Sequence, residues 1–274
     1  MRLNRHIDRI GGTRLRGSSY SSGSSTVSYD ADAALYFAAH TTPLSGAWKA
    51  AVNTLVLSLK ADSNWTPLDM LHIWQPDEQG WRVNLKTPAT VATAVNSPTF
   101  GSQGFTGDGA TSYLELNINP FGGALNYQQN SCHFGVWVGT NITGSTRKDA
   151  GAVRTIINSR SGSTAPLGIQ TSTLVTPALS PATSVGHTYW ERTGAGAWEW
   201  FKDGVSQSTG TDASQALSNS EFVACAYNTS TTGTVTPTHY STRLINCVHS
   251  GSSAIDPTTL YTALNTFRLA VAGL

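Results

Sequence analysis

The chain has 274 residues, a formal net charge of +1, 12% charged residues and 39% hydrophobic residues, among them 8 Trp. So few charges exclude a disordered polyelectrolyte and a coiled coil, and the near-neutral balance excludes a generally basic nucleic-acid binder. The apolar share suffices for a real core, and an all-β fold of this length forms as one domain.

Residues 1–28 stand apart. Arg2, Arg5, Arg9, Arg14 and Arg16 face a single acid, Asp8, and a Ser/Gly-rich stretch from Gly17 to Ser25 follows. This composition reads either as a solvated tail or as an arm that orders on an acidic or structural partner. The first residues lack the uninterrupted apolar stretch of a secretory leader, and no apolar run reaches 18 residues, so no membrane span is expected.

Residues 29–80 read as a helical lead-in. Thr42 suits an N-cap and Pro43 a first helical position, and Trp48, Val52, Leu55, Val56 and Leu59 recur at three- and four-residue steps, predicting a helix over 43–60 with one buried face. A second helical turn is expected near Pro67–Leu71. From about residue 81 short apolar or alternating runs recur every ten residues or so: 113–116, 133–138, 154–157, 188–192, 197–201, 221–227 and 243–248. Turns are marked at Gly107-Asp108-Gly109, Gly194-Ala195-Gly196 and Lys202-Asp203-Gly204, where Asp-Gly supplies the positive φ of a tight hairpin. Many short strands at this spacing make an antiparallel sandwich or barrel. A helix over 257–271 closes the chain, with Asp256 as N-cap and Leu260, Leu264, Phe267 and Val271 on one face. The Thr/Gly/Asn-rich stretches 139–152 and 228–238 read as surface loops.

Two segments carry a resemblance. Phe105-Thr106-Gly107-Asp108-Gly109-Ala110-Thr111-Ser112-Tyr113-Leu114 resembles the "F-x-G-x-x-x-Y-L" hairpin of the concanavalin A-like, laminin-G-like jelly rolls, and Trp198-Glu199-Trp200-Phe201-Lys202-Asp203-Gly204-Val205 resembles their "strand, Asp-Gly, strand" turn. The layout of residues 30–274 is similar to that of a group of bacteriophage and prophage proteins: an amphipathic helix ending in Leu59-Lys60-Ala61-Asp62, then Trp65, a jelly roll, and a terminal helix beginning at Asp256-Pro257. The resemblance implies a virion component made in the bacterial cytoplasm, either a tail fibre or spike or a capsid decoration. It implies other virion proteins as partners, host-surface glycan as a further possible partner, no catalysis, and a homo-oligomer, with a trimer as the guess.

The residues themselves bear on chemistry. Glu191 and Glu199 flank a predicted hairpin and Glu115 sits on another strand, but the Glu-x-Asp-x-x-Glu strand of the related glycoside hydrolases is absent. These carboxylates are expected on the solvent side, with a glycosidase as the lesser alternative. No Asp-x-Asp-x-Asn run, His pair or CxxC suggests a metal, and no cofactor is implied. Cys132, Cys225 and Cys247 read as buried thiols, a Cys225–Cys247 bridge being the minority reading. Trp198 and Trp200 share one strand face, opposite Glu199. They, with Trp74 and Trp81, are either core or the exposed platform of a glycan site. The Asn-x-Ser/Thr triplets at Asn64, Asn141 and Asn228 would be acceptors only in a secretory host.

Overall fold

A computed structural model describes residues 27–122, 124–144, 147–160, 167–171 and 181–274; the basic arm, with Arg2, Arg5, Arg9, Arg14 and Arg16, lies outside the described residues. The chain opens with α1 (Ala31–Ala38), α2 (Gly46–Ala61), β1 (Leu68–His72) and the short α3 (Glu78–Arg82). It continues through β2 (Thr93–Val95), β3 (Thr99–Gly101), β4 (Gly104–Thr106), β5 (Tyr113–Glu115), β6 (Cys132–Val138), β7 (Ala150–Ala152), β8 (Thr155–Ile157) and β9 (Leu167–Ile169). The long hairpin of β10 (Gly186–Gly194), β11 (Ala197–Lys202) and β12 (Val205–Gly210) follows, then β13 (Val223–Ala224), β14 (Tyr227–Asn228), β15 (Pro237–Thr238), β16 (Leu244–Gly251) and α4 (Pro257–Val271).

The fold is mostly β, an antiparallel sandwich with helices on one side. One sheet has the order β12-β11-β10-β6-β16-β4-β3, with β1 also on β16; the other has the order β15-β14-β7-β13-β5-β2, with β8 and β9 extending from β7. Among the described residues the ladders are antiparallel except β14 on β7, which pair in parallel at Asn228 and Ala152; an isolated bridge from Asn219 to Thr232 is also parallel.

Strand alternation divides the side chains of the first sheet between two cores. From β6, Cys132, Phe134, Val136 and Val138 enter the core between the sheets, joined by Trp190, Trp198 and Trp200. Trp137 points the other way, with Tyr189, Phe201 and Cys247, into a second core closed by α2 and α4. The molecule therefore has three layers, helices on sheet on sheet, and both faces of the central sheet are buried. Accordingly β6, β10 and β16 are buried along nearly their whole length, polar residues included, instead of alternating between buried and exposed.

The α2 stripe Trp48, Val52, Leu55, Val56 and Leu59 is buried as expected, against the α4 stripe Leu260, Leu264, Phe267 and Val271. The start of α2 differs from expectation. Ser45, not Thr42, is the cap: its Oγ accepts the Trp48 N–H at 3.3 Å, and the helix begins three residues after Pro43. At the start of α4, Asp256 caps Thr258 and Thr259 as the sequence indicated. The expected helical turn near 67–71 is instead strand β1, all five of whose residues are buried. A short apolar run buried on both faces carries no period by which to tell helix from strand. Because β1 pairs with β16, the lead-in contributes a strand to the main sheet as well as helices on it.

Two of the expected turns and one expected loop resolve in different ways. Asp203 (φ 50°) and Gly204 (φ 76°) form the two-residue hairpin turn between β11 and β12, as the Asp-Gly step requires. Gly107–Ser112 is not a hairpin: β4 belongs to one sheet and β5 to the other, so the segment is an arch between layers. Asp108 holds it by accepting from the backbone N–H groups of Ala110, Thr111 and Ser112 at 2.7–2.8 Å. The 139–152 stretch is not all surface loop either. Lys148 and Asp149 are buried and β7 begins at Ala150.

All three cysteines are free and buried. Cys225 sits between the sheets and Cys247 on the helix side, so a bridge between them would have to pass through a sheet. Asn64 and Asn228 of the glycosylation triplets are buried; Asn64 accepts the Asp256 N–H at 2.8 Å and donates to Thr259 Oγ1 at 2.8 Å, tying the end of α2 to the start of α4.

Candidate functional site

The four tryptophans singled out in the sequence are all interior: Trp74, Trp81, Trp198 and Trp200 are each 5% exposed or less. None stands on the surface as an aromatic platform; of the two readings the sequence allowed, the structure gives the core one. Trp81 stacks on His72 (ring centroids 5.8 Å apart, 10° between planes) and meets Phe105 edge-on. Trp198 packs against Trp190 at 4.8 Å, donates from Nε1 to Asp212 at 2.8 Å and covers Gly210, where a β-carbon would collide with the indole. Trp74 and Trp200 have a different setting, because each forms a wall of a recess.

Both recesses open at the same end of the central sheet, where β6 and β11 finish and β10 and β16 begin. The segment 181–185 separates them: Pro181 and Thr183 line one, Val185 the other.

The first recess is a cleft of about 220 Å³ between the sheet and α4. Trp74, just beyond β1, meets Trp137 of β6 edge-on at 5.2 Å. Trp137 is in turn stacked on Tyr261 (5.5 Å, 6°) and carries the Arg268 guanidinium 5.4 Å from its ring centre. Two contacts fix that guanidinium, Nε and Nη2 donating to Asn265 Oδ1 at 3.1 and 2.9 Å. The polar floor comes from an irregularity in β16. Ile245 pairs with Val138 and Cys247 with Trp137, so Asn246 is the extra residue of a bulge. A bulge re-aims the residue it adds, and here that residue lines the cleft. Asn246 donates from Nδ2 to the Gln103 carbonyl, while its Oδ1, buried, has no hydrogen-bond partner among the described residues. Gly139 keeps the space open: a β-carbon there would lie 2.6 Å from Asn246 Oδ1 and 2.8 Å from Leu244 Cδ2.

The second recess, about 280 Å³, is walled by Trp200, Lys202, Asp203 and Gln207 with Pro181 and Thr183. Neither Trp200 Nε1 nor Lys202 Nζ has a hydrogen-bond partner among the described residues, although both atoms are shielded from water. Burial pulls the Lys202 ammonium down to about 8.

Of the three carboxylates expected on the solvent side, Glu115 and Glu199 are partly exposed and Glu191 is not. Glu191 and Glu199 are direct cross-strand partners, but Glu191 is buried on the helix side, accepts the Tyr189 hydroxyl at 2.7 Å, and is pushed up by desolvation to about 7. Glu199 accepts from Ser206 across to β12. Among the described residues no group of three or more His, Cys, Asp or Glu is disposed to hold a metal ion.

Sequence reasoning found Trp74 and Trp200 but missed Trp137, Asn246, Arg268 and Lys202. Arg268 falls on the polar face of a helix and Trp137 within an apolar strand, so neither differs in pattern from ordinary surface and core. The bulge that turns Asn246 has no signature in a single sequence.

No family model matches the chain, and no curated protein matches it. Among solved structures it is similar to a Trypanosoma rangeli sialidase mutant displaying trans-sialidase activity (TM-score 0.50, 11% identity, covering 78% of this chain and 39% of that one). It is also similar to domain 4 of AbnA, an extracellular arabinanase from Geobacillus stearothermophilus, solved with arabinotriose (TM-score 0.45, 14% identity, 72% and 98%). A third is the binding domain of botulinum neurotoxin serotype D (TM-score 0.44, 9% identity, 73% and 52%). The chain spans about two fifths of the sialidase, and likeness at this identity concerns the fold alone.

Proposed function

We propose that this chain is a non-catalytic carbohydrate-binding jelly roll that serves as a displayed component of a bacteriophage particle. The observation that carries the carbohydrate reading is the Trp74–Trp137 cleft. It joins apolar ring surface to an amide with an unused acceptor and to a guanidinium held in place, the mixture of flat apolar area and fixed polar groups that suits a polyhydroxylated ring. Trp137 and Asn246 rest on strands, Arg268 on a helix and Trp74 just past the end of β1 beside Ile73, all held by packing, so the cleft is preorganised.

The virion setting rests on the sequence layout of residues 30–274 and on the basic arm, which would anchor the domain to a neighbouring capsid or tail protein, as a tail fibre or spike or as a capsid decoration. The particle role would make the protein a symmetric oligomer, a trimer in the first instance.

Glycan-array screening of the full chain tests the first part. Retention of defined glycans, weakened at least tenfold by N246A or R268A with the fold intact, is the expected result. Failure to retain any glycan would remove it. Deleting residues 1–28 tests the second part: truncated protein should bind glycan but no longer enter particles.

The opposed Glu191 and Glu199 leave a glycosidase as the competing reading. The Glu191 carboxyl is engaged by Tyr189 beneath the helical layer, and no turnover of bound glycans is expected; product formation abolished by E191Q would reverse that.

A further inference from the structure

We propose that the Trp200–Lys202 recess is a second binding site, one that takes a carboxylate. It stands on observations separate from those of the Trp74–Trp137 cleft. Trp200 and Lys202 are two apart on β11 and therefore project from the same side of the strand, into the recess they both line. Each ends in a donor with no acceptor among the described residues: the Trp200 indole N–H, on a side chain 1% exposed, and the Lys202 ammonium. Indole and ammonium are donor-only groups. A buried donor without an acceptor is costly, and an unpaired buried cation more so.

The acceptor at hand does not fill the role. Asp203 also lines the recess, but its carboxylate is tucked against Gly186, where Oδ1 accepts the His187 N–H at 2.7 Å. It forms no ion pair with Lys202 among the described residues, whose ion pairs are those of Lys60, Arg82 and Arg243. What the recess lacks is a small planar acceptor carrying negative charge, able to meet the ammonium with one oxygen and the indole with the other. A carboxylate matches that demand, and the hydroxyl of a neutral sugar does not supply the charge. Two sources share this chemistry: the acid group of a uronic sugar, and a free small carboxylic acid.

The test is a titration of the full chain followed by NMR of the tryptophan indole N–H groups, with Trp200 assigned through W200F. Glucuronate should move the Trp200 resonance saturably, and glucose at equal concentration should leave it in place. K202M should weaken glucuronate binding at least tenfold. Acetate binding as tightly as glucuronate would identify the free acid as the source; acetate binding much more weakly would identify the sugar acid. Should K202M not fold, the wild type at pH 9.5 serves instead. Lys202, which feels the carboxylates of Asp203 and Asp149 and the neutral imidazole of His187, is then mostly uncharged, and affinity should fall more than tenfold from its value at pH 7. A Trp200 signal indifferent to glucuronate and acetate alike, or equal affinity in K202M, would overturn the proposal. Because N246A and R268A leave this recess intact, loss of neutral-glycan binding in those variants would not be mistaken for failure here.

Discussion

His187 of β10 and His249 of β16 meet Nε2 to Nε2 at 2.8 Å, both completely buried under α4. One ring must donate and the other accept, so the acceptor is neutral; burial keeps the donor neutral as well, and neither Nδ1 has a hydrogen-bond partner among the described residues. His133 joins them from β6, 5.1 Å from His249, with Nδ1 on the Ser252 carbonyl at 2.7 Å. A proton added to any of the three would bring a charge into a buried layer, and on the accepting Nε2 of the pair it would set N–H against N–H.

Stability should therefore fall in mild acid. Desolvation draws His133 down to about 4, His187 to about 3 and His249 well below its ordinary value; His72, on the other side of the sheet, goes to about 4. Between pH 6.5 and those values the unfolded chain binds protons that the folded chain refuses, and each such histidine removes about 1.4 kcal/mol per pH unit. Glu191, held up to about 7, works in the opposite direction, since the folded state takes its proton between pH 7 and 4.5. Four histidines outweigh one carboxyl. Urea unfolding should show its midpoint steady near neutrality and dropping from pH 6.5 to 4.5, with a shallower drop in H249F. A flat profile would mean that these rings are not buried neutral in solution.

Gly135 is what lets His249 lie there. The two are register partners on β6 and β16, and a β-carbon at position 135 would fall within the imidazole. G135A should cost about 1–3 kcal/mol, the range of core overpacking, because the ring is hemmed in by His133, His187 and Tyr189 and has nowhere to move. Thermal melts of G135A and of G135A/H249A separate the causes: the second change should recover part of the loss if the collision is with the ring.

The Trp74–Trp137 cleft, proposed above as a glycan site, can be closed without disturbing the fold. Gly139 has no positive φ, so alanine strains no backbone there, yet its methyl would crowd Asn246 Oδ1 and Leu244. In G139A, glycan affinity should drop at least tenfold with melting temperature within a few degrees of wild type. Unchanged affinity by isothermal titration would place the bound sugar elsewhere.

The elements that the sequence disclosed are those whose signal is local and periodic. The α2 and α4 stripes, the Asp203-Gly204 turn and the strand β10–β11 hairpin each depend on residues within a dozen positions of one another. What escaped depends on partners far along the chain. β1 is a strand because β16, nearly 180 residues on, accepts it, and its apolar run carries no period. Glu191 looked like a solvent-facing residue because alternation set it opposite Trp190; a helical layer covering that face is invisible in the strand itself. Trp74 and Trp200 were noticed for their size, which says nothing about whether a neighbouring space exists.

Arg243, just before β16, and Asp149, just before β7, supply the last test, on the stability of the contact between the two sheets. Both are fully buried and joined at 2.8 Å, and the same Nη1 donates to Asn158 Oδ1 at 2.7 Å while Nε donates to the Ile142 carbonyl at 2.9 Å. Asp149 also accepts the Ser159 N–H at 2.6 Å. Removing one partner leaves the other as an uncompensated buried charge, so R243M should cost about 3–5 kcal/mol. D149N, which keeps the size and some of the hydrogen bonds, should cost less. The double variant R243M/D149N should be more stable than the sum of the two single losses predicts, since no lone charge remains. Chemical denaturation of the four proteins measures this directly, and strictly additive losses would show that the pair contributes through packing and not through charge.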